Sequence, residues 1–259
     1  MNNVSWRRLL VLGGLLLAAC QTMLPLAGRL LATAVGNYDS RYGKLVDDLS
    51  TALKAGPAPG GAATKVGAPI SLEVALLRQE EQGGEIVPVA MANGEVLRWR
   101  GSLEASDRFK VFFRPSEDCF VYVVLVDGTG FVQVLHPDGA LGVPTRGGDG
   151  RFLPEGDLDL AYAVDEYVGI ETIYFVASRQ RRTDLEQALL PFVGRERPPL
   201  QRPLSVQQLA DDFLELGVAE RGTGVAEVRM QNGKGRFDTA AFRTAAGRDL
   251  VVTRWFEHR

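Results

Sequence analysis

Cysteine and histidine are scarce: the 259 residues hold two of each. Cys20, Cys119, His136 and His258 form none of the recurrent zinc-ligand spacings, so no metal is expected. Nucleophilic catalysis of the Ser-His-Asp or Cys-His kind needs a base poised beside its nucleophile. His136 is the one candidate, and neither a Gly-x-Ser-x-Gly elbow nor a caspase-like cysteine signature accompanies it. It reads as a polar cap at a strand end, whose loss is expected to cost little. No catalytic residue and no cofactor are assigned. A basic excess is missing as well. Lys and Arg number 29 against 32 Asp and Glu, a net charge of -3, which gives no support to a nucleic-acid or anionic-lipid surface. Internal repeats are absent. Asn232-Gly233-Lys234-Gly235 lacks the frame of a phosphate loop and reads as a hairpin turn.

The N-terminus carries the most specific signal. Arg7 and Arg8 form a short basic head, and residues 9–19 follow without a charge. That run is shorter than the roughly 20 apolar residues needed to span a bilayer. A basic head, a short apolar run and small residues at its end describe a secretory signal. The end is Leu17-Ala18-Ala19-Cys20, which resembles the lipobox of bacterial lipoproteins at every position. The resemblance implies cleavage between Ala19 and Cys20 and lipid on Cys20, with palmitate among the acyl groups. Gln21 at the second mature position implies an outer-membrane lipoprotein facing the periplasm. An uncleaved anchor over residues 9–27 is the alternative, and it too leaves the remainder outside the cytoplasm.

With Cys20 lipidated, Cys119 stands alone, and its strand-like surroundings read as core. The organisation expected is a signal peptide (1–19), a membrane-proximal helical segment or stalk (20–54), a flexible linker (55–69), a β-rich domain (70–180) and a C-terminal helix and strand extension packed on it (181–259). Leu45, Leu49 and Leu53 carry the first helix by their spacing. Gly, Ala and Pro over 55–69 mark the tether, so a chain beginning near Val66 is expected to fold by itself.

From Ile70 the hydrophobic period changes to two. Residues 120–126 (FVYVVLV) form a continuous apolar run, as in a strand covered on both faces. Asp127-Gly128-Thr129-Gly130 breaks it, with Gly128 and Gly130 expected to carry the turn, and residues 131–135 resume it as a hairpin. Further strands are expected over 71–76, 85–89, 95–99, 108–113, 158–164, 172–177, 225–230 and 250–256. Helices are expected at 183–186 and 205–216, the latter closed by Gly217 and preceded by an extended basic link over 195–203. The fold class expected is mainly β, an antiparallel β-sandwich with a few peripheral helices.

Two blocks resemble domain of unknown function 4384. One runs from Cys119 through Asp127-Gly128-Thr129-Gly130 to Leu135-His136-Pro137, and the other from Gly169-Ile170-Glu171 to Ala177-Ser178. The resemblance covers under half of the chain and implies an extracytoplasmic β-rich module. It assigns no catalytic residue.

Binding rather than catalysis is therefore expected: a lipid-anchored, non-enzymatic module with a protein or envelope partner. Trp99 between Arg98 and Arg100, together with Trp255, is the candidate binding surface, since Trp and Arg are frequent at interfaces. Asp149, Glu155, Asp157, Asp159, Asp165, Glu166 and Glu171 read as a solvated acidic rim; their spacing lacks the order of a calcium loop. The alternative function is a carboxylate-dependent cell-wall or glycan hydrolase. It needs two acids about 5–10 Å apart across one cleft.

Overall fold

The alternation in residues 71–82 sends Leu72, Val74 and Leu76 to one face of a strand and Ala75 and Leu77 to the other. This strand, β1 (Ser71–Gln82), lies at the centre of a sheet. The computed structural model describes residues 38–55, 69–201, 218–230, 233–244 and 249–259. Ala19, Cys20 and the rest of the expected signal fall outside that set, as do residues 56–68 of the tether and the helix expected over 205–216.

Twelve strands are described. They are β1, β2 (Glu85–Ala90), β3 (Val96–Leu97), β4 (Arg108–Pro115), β5 (Phe120–Val126), β6 (Val132–His136), β7 (Arg151–Leu153), β8 (Tyr162–Ala163), β9 (Gly169–Ser178), β10 (Val218–Met230), β11 (Gly233–Thr244) and β12 (Leu250–His258). They make two sheets. The first has the order β10-β11-β1-β4-β7, with β2 also on β1 and β8 on β4; the second is β3-β12-β9-β5-β6. All pairs are antiparallel except β3 on β12, which is parallel. The fold is mainly β and sandwich-like, as the alternation predicts.

The boundary expected at residue 180 is not seen. β12 is inserted between β3 and β9, and β11 pairs with β1, so the C-terminal strands complete both sheets rather than packing on a finished domain. The reason is hydrogen bonding: without β12, β9 would be left as an unpaired edge and β3 would have no partner in the second sheet.

The second sheet is covered twice. Val121, Val123 and Leu125 of β5 face the first sheet, with Ile173 and Phe175 of β9 and Val252 and Phe256 of β12. Tyr122, Val124 and Val126 face the other way, onto helix α1 (Ser40–Lys54) and helix α2 (Thr183–Leu189). This explains why residues 120–126 are apolar at every position. Helix α1 is therefore not a stalk. Its stripe of Tyr42, Val46, Leu49 and Leu53 is buried on the second sheet, while Asp47 and Asp48 remain exposed. Asp39 caps it, its side chain accepting from the Arg41 and Tyr42 amides. Tyr42 then ties the helix to the β5–β6 turn: its hydroxyl donates to the Gly130 carbonyl and accepts from the Val132 amide.

Gly128 and Gly130 serve that turn differently. Gly130 has φ 89°, where glycine is favoured. Gly128 is needed for space, because a Cβ there would lie 2.4 Å from the Gly169 Cα.

Candidate functional site

Three neighbouring strands of the second sheet carry a polar residue on their inward face at the same end. On β5 the inward series Val121, Val123, Leu125 continues to Asp127 just beyond the strand. On β9 the series Ala177, Phe175, Ile173 reaches Glu171. On β12 it runs Leu250, Val252, Arg254, Phe256 to His258. Glu171 pairs in register with Phe256, and His258 with Gly169, so the two side chains meet diagonally across adjacent strands.

These groups line a cavity of about 170 Å³. Its wall also includes Phe109, Gln133, Leu135, Tyr162, Asp165 and Arg197. A second cavity of about 310 Å³ shares Gln133, Leu135 and Tyr162 with it and adds Asp138, Glu155 and Arg195.

Not all of the charges are free to act. Asp127 Oδ1 accepts from the Thr129 amide and hydroxyl and from the Phe131 amide, while Oδ2 pairs with Arg197 at 2.5 Å. Arg197 also reaches Asp165 at 3.3 Å and lies over the rings of Phe131 and Tyr167. Asp127 and Arg197 thus form a clamp that holds the segment after α2 against the turn. The basic link expected there is anchored through this arginine.

Glu171 and His258 are different. Both are buried, and His258 Nδ1 lies 3.2 Å from Glu171 Oε1. Burial pushes the Glu171 carboxyl up to about 7, against the opposing pull of the His258 hydrogen bond. Burial works against a charge on His258, but Glu171 and Asp165 together outweigh it and the imidazole ends above its ordinary value. His258 Nε2 meets no hydrogen-bond partner of good geometry, although the Asp165 carboxylate and carbonyl both favour the charged ring.

The candidate binding surface read from the sequence does not assemble. Trp255 is buried at 8% exposure, because its strand is interior and its ring packs against Gly94. Arg254 is buried and donates to the Met91 carbonyl. Trp99 is half-buried, flanked by exposed Arg98 and Arg100, and Arg100 pairs with Asp107 at 3.0 Å. Of the expected acidic rim only Asp165 and Glu171 reach the first cavity. Among the described residues no three His, Cys, Asp or Glu side chains are placed to hold a metal ion. The loop around Asp157 instead turns its backbone inward. Carbonyls of Pro154, Asp157 and Leu160 accept from Nζ of Lys110, a lysine with 1% exposure.

Cys119 is core, and burial pushes its thiol up to about 12. His136 is not a cap. It is buried against the Phe113 ring with Nε2 3.1 Å from the Thr145 hydroxyl, and burial lowers it to about 4. Its loss is therefore expected to be costly. An unfolded histidine takes a proton near 6.5, whereas folded His136 does so only near 4. The unfolded state thus gains protons first as pH falls, and this stability is present above 6.5 and lost by 4. The shift corresponds to about 3 kcal/mol. His136→Leu is expected to remove that slope. Melting curves of both proteins across this range check it; parallel pH profiles would refute the assignment.

Comparison with models of known families, with curated proteins and with solved structures finds no match to this chain. Among the described residues no helix is long and apolar enough to cross a membrane.

Proposed function

We propose that this chain is an exported module, anchored through lipid on Cys20 to the outer membrane on its periplasmic side, that binds an envelope component or protein without catalysing a reaction. The cavity at the Glu171–His258 pair is its binding site. The observation that carries the binding reading is the convergence of Asp127, Glu171 and His258 on one inward end of three adjacent strands, around a cavity. A buried polar group without full satisfaction is costly, and a ligand is a ready reason for one. The hydrolase alternative is less well supported. Asp127 is held by Thr129, Phe131 and Arg197, and Asp165 is paired with Arg197, so among the described residues of the lining Glu171 has no second carboxylate free of an ion pair. The likeness to domain of unknown function 4384 belongs to the same proposal. Its two blocks are β5, β6 and β9, which lie side by side.

Anchoring rests on Leu17-Ala18-Ala19-Cys20 and is tested there. Cys20→Ser is expected to abolish palmitate incorporation and to leave a longer precursor in the membrane fraction. Normal processing and labelling of that variant would remove the lipoprotein reading.

A further inference from the structure

Resting on the binding reading above, we propose that the cavity takes a small organic cation with N–H donors, an ammonium or guanidinium group. His258 Nε2 accepts a hydrogen bond from it, and the excess of carboxylates over cations in the wall supplies the opposing charge.

The sign of the ligand follows from which charges are already occupied. Among the described residues Arg197 is the only guanidinium lining the first cavity, and it is held by Asp127 and Asp165 and lies over two rings. An anion would find no free guanidinium there, and a protonated His258 ring is already paired with Glu171. Among the described residues the acids lining the cavity, Asp127, Asp165 and Glu171, outnumber Arg197 by two, and by one when His258 is also charged.

The acceptor follows from the tautomer. A Glu171 carboxylate at Nδ1 accepts that nitrogen's proton in a hydrogen bond, which leaves Nε2 of a neutral ring with its lone pair. Nε2 belongs to a side chain with 1% exposure, has no partner of good geometry, and is part of a residue lining the cavity. An N–H donor satisfies it. The Tyr162 ring in the wall suits a positive charge by its quadrupole. A metal ion is a poorer occupant, since no three ligating side chains converge among the described residues.

The ligand competes with a proton. Glu171 faces His258 from β12, Asp127 from the β5–β6 turn, and Asp165 and Tyr162 from β8 and the loop that follows; Arg197 lies across the cavity. Burial and the two neighbouring carboxylates lift Glu171 to about 7, and His258 is raised too, so near neutrality the pair retains an extra proton. Loss of that proton frees Nε2, so cation binding strengthens as pH rises through neutrality and displaces the proton.

The test uses the full chain in detergent, labelled with ¹⁵N at histidine. The chain has only His136 and His258, so both rings can be assigned. Ethylammonium chloride is expected to shift the His258 Nε2 resonance saturably, with His136 unmoved. Tetramethylammonium, which has no N–H, and sodium propionate are expected to do much less. Binding is expected to weaken about tenfold from about pH 8 to about pH 6, and about tenfold in Glu171→Gln at the higher pH. Equal responses to ethylammonium, tetramethylammonium and propionate, or no response to ethylammonium or guanidinium at about 0.1 M, would overturn the cation proposal. If an envelope extract still saturates the His258 signal, the binding-module reading survives that failure; if no extract moves it, that reading fails as well.

Discussion

A chain that begins at Val66, lacking helix α1, is expected to lose cooperative melting. Five large side chains leave with it: Tyr38, Tyr42, Val46, Leu49 and Leu53, each at 5% exposure or less. Full burial of one such side chain is worth about 1.5–3 kcal/mol, an upper figure because unfolded chains already bury part of their surface. The gross loss is comparable with the whole stability of an ordinary domain, about 5–15 kcal/mol. Val124, Val126, Phe131 and Val132 would also be uncovered on the second sheet. The Val132 amide would lose the Tyr42 hydroxyl. Full-length Leu49→Asp separates packing from chain length. It buries a charge at a site with 0% exposure and is expected to lower the melting temperature sharply. A truncated chain that melts as sharply and as high as the parent would show that the helix is dispensable.

Replacing Arg182 by methionine is expected to cost about 3–5 kcal/mol, the usual penalty for removing one partner of a buried ion pair. Arg182 has 2% side-chain exposure and joins three parts of the chain. Its guanidinium donates to Asp249 at 2.6 Å just before β12, to Asp184 in α2 at 2.7 and 2.9 Å, and to the Ala52 carbonyl at the end of α1 at 2.8 Å. Asp249 has 8% side-chain exposure and would be left as an unpaired charge. Asp184 is 41% exposed and would turn to water, so most of the loss falls on Asp249. The double variant Arg182→Met with Asp249→Leu is expected to recover a large share, because an apolar pair leaves no buried charge. Chemical denaturation of both variants decides it. Equal destabilisation of the single and the double variant would place the effect elsewhere.

The site was partly legible before the fold was known. Glu171 precedes Ile173, Phe175 and Ala177 at spacing two, and His258 follows Phe256 and Val252 in the same way. A charged or titratable residue on the inward phase of an apolar strand is a usable signal. Reading Glu171 as part of an acidic rim, and His258 only as a histidine without zinc-ligand spacing, overlooked it. Trp255 misled for the converse reason. Tryptophan beside arginine suggests a surface only when the strand has a free face, and β12 has none free at that position.

The amino-acid sequence by itself determined the class of the fold and most of its strands. Period-two alternation and β-branched runs place β1, β4, β5, β9 and β12, and Asp127 to Gly130 places one sharp turn, because these are local properties of the backbone and of neighbouring side chains. β11 was missed: residues 233–244 are polar and contain few β-branched residues, and their strand depends on pairing with β1 and β10. Only the tertiary structure decided that α1 is a third layer, that β12 closes the second sheet, and that Glu171 meets His258 across 87 positions of sequence. Each of these depends on which surfaces are brought together, and a linear pattern records a strand's two faces without recording what covers them.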